Sequence, residues 1–157
     1  MGNFGKKVIL AIPFAVFGAD GIIKHYVEKK EELDVPREAF SGRLLLRRHY
    51  NRGAAFGIGA GKPAFVTAVQ GVLLSVSAAC FAALLPKRGR IGLKAALGLI
   101  LGGGASNFYD RLKRKHVVDY VSIPARWNFA RRIVFNLSDV CILCGSLLLA
   151  VFGRKGK

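Results

Sequence analysis

Twenty-two consecutive residues, Ala64 to Leu85, carry no charged side chain, and no other stretch constrains the chain so strongly. As a helix rising about 1.5 Å per residue, such a run spans a hydrocarbon layer about 30 Å thick. Three more apolar runs accompany it: Val8 to Ala19, which can continue to Tyr26; Ile91 to Tyr109, interrupted only by Lys94; and Ile133 to Phe152. A chain that is 52% hydrophobic yet 22% charged must keep the two kinds of residue apart, and here they are segregated along the sequence. The expectation is one membrane-embedded domain over residues 1–157, mainly α. Its four transmembrane helices fall at about 8–26, 64–85, 91–109 and 133–152, with two longer loops at 27–63 and 110–132.

The formal charge of +16 is compatible with nucleic acid binding. The basic residues, however, flank the apolar runs and form no stripe interleaved with aromatics. They fit an anionic lipid surface, so no nucleic acid partner is expected. Four spans put both termini on one side. Lys6, Lys7, the PKRGRIGLK loop and the GRKGK tail mark that side as cytoplasmic. The opposite loops carry more Lys and Arg in total, but spread out and mixed with acids. The start of the chain has the look of a secretory leader, but Asp20 and Lys24 follow the apolar dozen directly. Cys141 and Cys144 form a lone CxxC inside an apolar run, and with Cys80 they fit small packing residues better than a metal or redox site. His25, His49 and His116 stand scattered among charges, and no zinc or serine-hydrolase motif is present.

Chemistry concentrates between Gly102 and Asp139, which holds three of the nine carboxylates: Asp110, Asp119 and Asp139. Carboxylates beside membrane-length apolar runs are costly, and their default meaning is functional. Asn107 precedes Asp110 by three residues, as Asn136 precedes Asp139, so each pair can share a helix face. Asp20 and Lys24, four apart, fit a salt bridge at a helix end with the lysine snorkelling outward. Gly98 and Gly102, extended by Gly103 and Gly104, form a small-residue face on which another helix can pack closely. RLLLRRHY reads as a strand or interfacial segment, and NRGAAFGIGAG as a glycine loop in which Asn51 is the polar contact. Two carboxylates held close share a proton, leaving one as general base and the other as general acid.

Five blocks, in order and in spacing, resemble the lipoprotein signal peptidase (signal peptidase II) family. DGIIK resembles its first-helix block. NRGAAF matches NxGAAF, and Gly102, Gly103, Asn107, Asp110 and Arg111 match GGxxxNxxDR. VVDY at 117–120 resembles VVDF, and FNLSD at 135–139 resembles FNxAD. The resemblance implies four transmembrane helices with a small extracytoplasmic β cradle drawn from about Leu44 to Ile58. An amphipathic segment over about Ile123 to Arg132 would follow, with Arg126, Arg131 and Arg132 meeting lipid headgroups. It also implies a multi-pass, monomeric aspartyl endopeptidase of the bacterial cytoplasmic membrane, its active site at the extracytoplasmic face and no metal or organic cofactor. The substrate implied is a diacylglyceryl-modified prolipoprotein, cut before its lipidated cysteine.

By that resemblance the catalytic pair falls on Asp119 and Asp139. Asn51, Gly53, Asn107, Arg111 and Asn136 fall on site-shaping and substrate-binding positions. Asp20, Lys24 and Asp110 are supporting, with Asp110 a structural acid beside Arg111 and paired with a cation. Spacing alone does not rank Asp119 above Asp110. Three departures stand out: Ile23 replaces the threonine before the lysine, Tyr120 replaces phenylalanine, and Ser138 replaces alanine. The last two are expected to put hydroxyls beside the catalytic acids. The competing expectation, a small transporter or channel subunit using the aspartates as an ion path, would spread polar groups through the bilayer depth. Ala64 to Leu85 offers only Thr67, Gln70, Ser75 and Ser77 for that.

Overall fold

A computed structural model describes residues 3–54, 57–124 and 133–154. Four long helices, α1 (Asn3–Glu28), α2 (Pro63–Leu84), α3 (Ile91–Arg114) and α4 (Leu137–Arg154), are each long and apolar enough to cross a membrane. Large apolar side chains such as Phe14, Ile22, Phe65, Leu73, Leu143 and Leu147 stand exposed along them. In water that surface would drive aggregation; in lipid it meets a matching solvent.

At one end of the bundle lies a four-stranded antiparallel sheet, in the order β1 (Arg37–Ala39), β2 (Leu44–Asn51), β3 (Val117–Ser122), β4 (Val134–Phe135). Of the two readings of RLLLRRHY, strand or interfacial segment, the strand holds as β2, while β1, β3 and β4 extend the cradle well beyond residues 44–58. β3 is the strand VVDYVS, rich in β-branched residues. It is paired with β2 in a register that sets His49 opposite Asp119 and Asn51 opposite Val117. The expected amphipathic segment at 123–132, with Arg126, Arg131 and Arg132, lies mostly outside the described residues.

Three helix bounds differ from the sequence expectation by four residues or more. α1 starts at Asn3 instead of about residue 8, and two others differ for local reasons. α3 runs past 109 to Arg114, because Arg111, Lys113 and Arg114 sit favourably in its last turn; the chain leaves it through Lys115 in a left-handed conformation (φ 66°). Asp110 and Arg111 are therefore helical. The fourth apolar run does not start as a helix at Ile133. Val134 and Phe135 pair with Ser122 and Val121, and α4 begins only after Asn136.

α3 is the central helix. Gly98 and Gly102 face α1: a Cβ on Gly102 would lie 2.7 Å from the Pro13 carbonyl oxygen. Gly103 faces α4, where a Cβ would lie 2.5 Å from the Ser138 carbonyl oxygen and 3.0 Å from Ile142 Cγ1. Alanine is the better helix former by about 1 kcal/mol, but a backbone oxygen cannot swing aside as a side chain can. Gly103→Ala is thus expected to be net destabilising by about 1–3 kcal/mol. It should also displace Ser138, the neighbour of Asp139. Thermal unfolding in detergent checks this, and a variant as stable as wild type would refute it.

Apolar packing is split into two clusters. Val27, Leu33, Val118 and Tyr120 gather beneath the sheet, with Ile23, Leu46, Val121 and Leu137 against them. Ile9, Phe81 and Leu97 gather toward the other end. Between them lies a group of buried polar residues: Asp20, Lys24, Ser106, Asn107, Asp110, Asp119, Asn136 and Ser138.

Candidate active site

The start of α4 is built by a reciprocal cap. Asn136 Oδ1 accepts the backbone N–H of Asp139 (2.9 Å), while Asp139 Oδ2 accepts the backbone N–H of Asn136 (3.1 Å). This is a capping-box arrangement, with each side chain satisfying an N–H that the helix leaves unpaired. The Asn-to-Asp spacing of three therefore means a helix start here, and the two side chains do not simply point the same way. Asp139 sits at the positive end of α4, where a carboxylate is stabilised.

The Asn136 amide reaches onward. Its Nδ2 donates to Asp119 Oδ1 at 2.7 Å and to Asn107 Oδ1 at 3.2 Å. Asp119 Oδ2 accepts from Asn51 Nδ2 at 3.1 Å, and Asp139 Oδ1 accepts from Asn107 Nδ2 at 2.9 Å. One residue, Asn136, thus bonds both carboxylates, and each receives two N–H donors. Asp119 is 1% exposed. Burial, then the charge of Asp139, push its pKa from 3.8 up to about 7, against the donors Asn51 and Asn136. Asp119 therefore holds its proton to a higher pH than an ordinary carboxyl does. On β2, His49 is held below its ordinary pKa by burial and by Arg47, which favours neutral imidazole.

Asn51 and Arg111 shape the loop after β2. Asn51 Oδ1 accepts the Gly53 N–H at 2.9 Å, and its Nδ2 donates also to Ala54 O at 3.3 Å. Arg111 donates to the Gly53 carbonyl, to Gln70 Oε1 at 2.9 Å and to Asn107 O at 3.2 Å. A Cβ on Gly53 would fall 2.5 Å from the Gly57 carbonyl oxygen, so the loop closes on itself there. Ala55 and Phe56 of NRGAAF lie outside the described residues. Gln70 also donates to Gly104 O at 3.1 Å, tying α2 to α3. Its signal was visible as one of the few polar groups in the uncharged run.

Behind the two acids, Lys24 does not snorkel. It is 0% exposed and contacts Asp20 Oδ2 (2.7 Å), Asp110 Oδ2 (2.9 Å), Asn107 Oδ1 (2.8 Å) and Ser106 Oγ (3.2 Å). The snorkelling expectation fails because two buried carboxylates converge on the ammonium and give it better partners than an interface would. Asp110 is paired with Lys24 and Arg114, not with Arg111, and Arg114 continues to Glu28 at 2.7 Å. Nor do the hydroxyls of Tyr120 and Ser138 lie on the acids at 119 and 139. The Tyr120 phenol donates to Asp20 Oδ1 at 2.9 Å and the Ser138 hydroxyl to Asp20 Oδ2 at 2.5 Å. Alternation along β3 places residue 120 on the face opposite Asp119, and Ser138 turns toward α1.

Comparison with known proteins agrees with this architecture. Residues 12–153 match the profile of the family described as signal peptidase (SPase) II. A lipoprotein signal peptidase of Pseudomonas aeruginosa is 32% identical over 164 residues, covering 99% of this chain and 92% of its own length. One from Shouchella clausii is 32% identical over 150 residues, covering 93% and 95%. A solved bacterial membrane enzyme, determined by the in meso method, superposes with a TM-score of 0.78 at 22% identity, covering 95% of this chain and 88% of that one. A second superposes at 0.75 and 21% identity, covering 96% and 95%.

Proposed function

The chain belongs to the signal peptidase II family, a family of membrane proteases, and on that footing we propose that it is an aspartyl endopeptidase. Its substrate is a diacylglyceryl-modified prolipoprotein, which it cuts before the lipidated cysteine. The observation that carries this is the convergence of Asp119 and Asp139 on Asn136, with two N–H donors on each acid.

The two environments divide the roles. Asp139, at the N-terminus of α4 and facing the Asn107 amide, holds the negative charge and is the base. Asp119, buried and with its pKa near 7, keeps the shared proton and is the acid. Asp139 takes a proton from water as that water attacks the scissile carbonyl, and Asp119 delivers its proton to the carbonyl oxygen. The tetrahedral diol then collapses: Asp139 passes its proton to the leaving amine, and Asp119 recovers one from the diol hydroxyl. Asn51, Gly53, Asn107, Arg111 and Asn136 frame the space around the pair and hold substrate backbone. Asp20, Lys24 and Asp110 support them from behind. The site faces the extracytoplasmic side, with both termini cytoplasmic, as the basic terminal segments and the 86–94 loop suggest. The diacylglyceryl group lies in the bilayer beside the exposed apolar flanks of the helices.

The test is cleavage by purified protein in detergent, with the lipidated prolipoprotein compared with its unlipidated form. The expected result is a shorter product from the lipidated substrate alone. Equal cleavage of both forms would remove the lipid requirement. No cleavage of either would overturn the peptidase assignment and make ion flux in liposomes, the competing activity, the next measurement.

A further inference from the structure

The mechanism above makes no direct use of Asp20, yet among the described residues no carboxylate in the bundle receives more hydrogen bonds. It is 0% exposed in α1. Oδ2 accepts from Ser138 Oγ at 2.5 Å, Ser106 Oγ at 2.6 Å and Lys24 Nζ at 2.7 Å; Oδ1 accepts from the Tyr120 phenol at 2.9 Å. The phenol oxygen in turn accepts the backbone N–H of Leu137, also at 2.9 Å. Leu137 opens α4, and its N–H is one of those a helix cannot satisfy internally.

The chain positions of these partners give the cluster its meaning. Tyr120 directly follows Asp119, while Leu137 and Ser138 directly precede Asp139. One buried carboxylate on α1 therefore holds the neighbours of both acids, one on strand β3 and one on the first turn of α4. The three departures from the family's motifs meet at the same place. Hydroxyls appear at 120 and 138, and a hydroxyl is lost at 23. Ile23 lies three residues from Asp20 on α1 and packs in the same cluster as Tyr120.

We propose that Tyr120, assisted by Ser138, is a positioning residue of the peptidase site. Its phenol locks the first turn of α4 to Asp20 and so fixes where Asp139 stands relative to Asp119. This rests on Asp119 and Asp139 being the reacting pair. Catalytic groups tolerate little displacement, since a misplacement of about 1 Å costs about a hundredfold in rate. The phenol touches neither acid, so its effect belongs in kcat and not in substrate affinity.

The experiment compares purified wild type, Tyr120→Phe and Asp139→Asn on the lipidated prolipoprotein. Rates are normalised to folded protein, and hydrogen exchange is followed by mass spectrometry over residues 134–140. Tyr120→Phe is expected to lower kcat by about tenfold to a hundredfold with KM within about twofold. Exchange at the start of α4 should quicken, since the Leu137 N–H loses its acceptor. A Tyr120→Phe enzyme with unchanged kcat overturns the proposal, as does one whose exchange over residues 134–140 matches wild type. If Asp139→Asn cuts normally, the assignment of the reacting pair is what has failed, whatever Tyr120→Phe does, and the positioning role falls with it.

Discussion

Asp139→Asn is expected to lower kcat by about three orders of magnitude while leaving the protein folded. The amide keeps an oxygen that can accept the Asn136 N–H, so the cap at the start of α4 survives in part. What it loses is the negative charge at the helix N-terminus, worth about 0.3–1 kcal/mol of stability, and any ability to take a proton from water. Asp119→Asn should be similarly inactive for the complementary reason: it has no proton to give to the carbonyl oxygen. The two variants differ in how stability depends on pH. Asp119 has an ordinary value of 3.8 and a folded value of about 7, raised mainly by burial. The folded state thus holds this proton to higher pH than the unfolded chain does. The associated stability is complete below the ordinary carboxylate range and is lost as pH rises through about 7. Wild type should therefore lose both cleavage rate and thermal stability as pH rises through that point, while Asp119→Asn loses the stability slope as well as the rate. Measuring initial rates and unfolding temperatures from pH 5 to pH 9 decides it. Substantial residual cleavage in either Asn variant would sink the dyad.

How much of this was legible beforehand differed by element. The spans were legible because lipid demands length and apolarity, and both are local properties of sequence. β2 announced itself through RLLLRRHY. β3 and β4 did not, because VVDYVS and Val134–Phe135 are short and abut helical segments, and only their pairing with β2 and with each other makes them strands. The acids at 110, 119 and 139 were legible as a group but not in rank. Their environments differ through partners distant in the chain: Lys24 lies 86 residues from Asp110, and Asn51 is separated from Asp119 by 68. Likewise the hydroxyls of Tyr120 and Ser138 could be seen, but their direction could not. Strand alternation and the cap at Asn136 send both to Asp20, and neither constraint is visible until β3 and the start of α4 are placed.

The largest stability effect should come from Lys24→Met. The side chain is 0% exposed and its ammonium lies against two carboxylates that are themselves 0% and 1% exposed. Methionine fills nearly the same volume, so little of the effect is a cavity. What remains is two buried acids that have lost their shared cation. Asp20 keeps three hydroxyl donors, from Ser106, Tyr120 and Ser138, and Asp110 keeps Arg114 and the Val118 N–H. Those partners soften the loss but cannot neutralise two charges, because the Arg114 guanidinium is already shared with Glu28. Removing one partner of a buried ion pair costs about 3–5 kcal/mol, and for a chain of this size that is a drop of about 10 °C in unfolding temperature. The same change withdraws the cation from Asn107 Oδ1, whose amide donates to Asp139, so activity should fall beyond what instability explains. Adding Asp20→Asn to Lys24→Met tests the cause. If uncompensated charge is responsible, the double variant regains part of the lost stability, since one carboxylate no longer needs the cation. If Lys24→Met alone is as stable as wild type, then at least one of the two acids already carries a proton in the native protein. The ion cluster behind the site would then be a hydrogen-bonded network with a single charge pair.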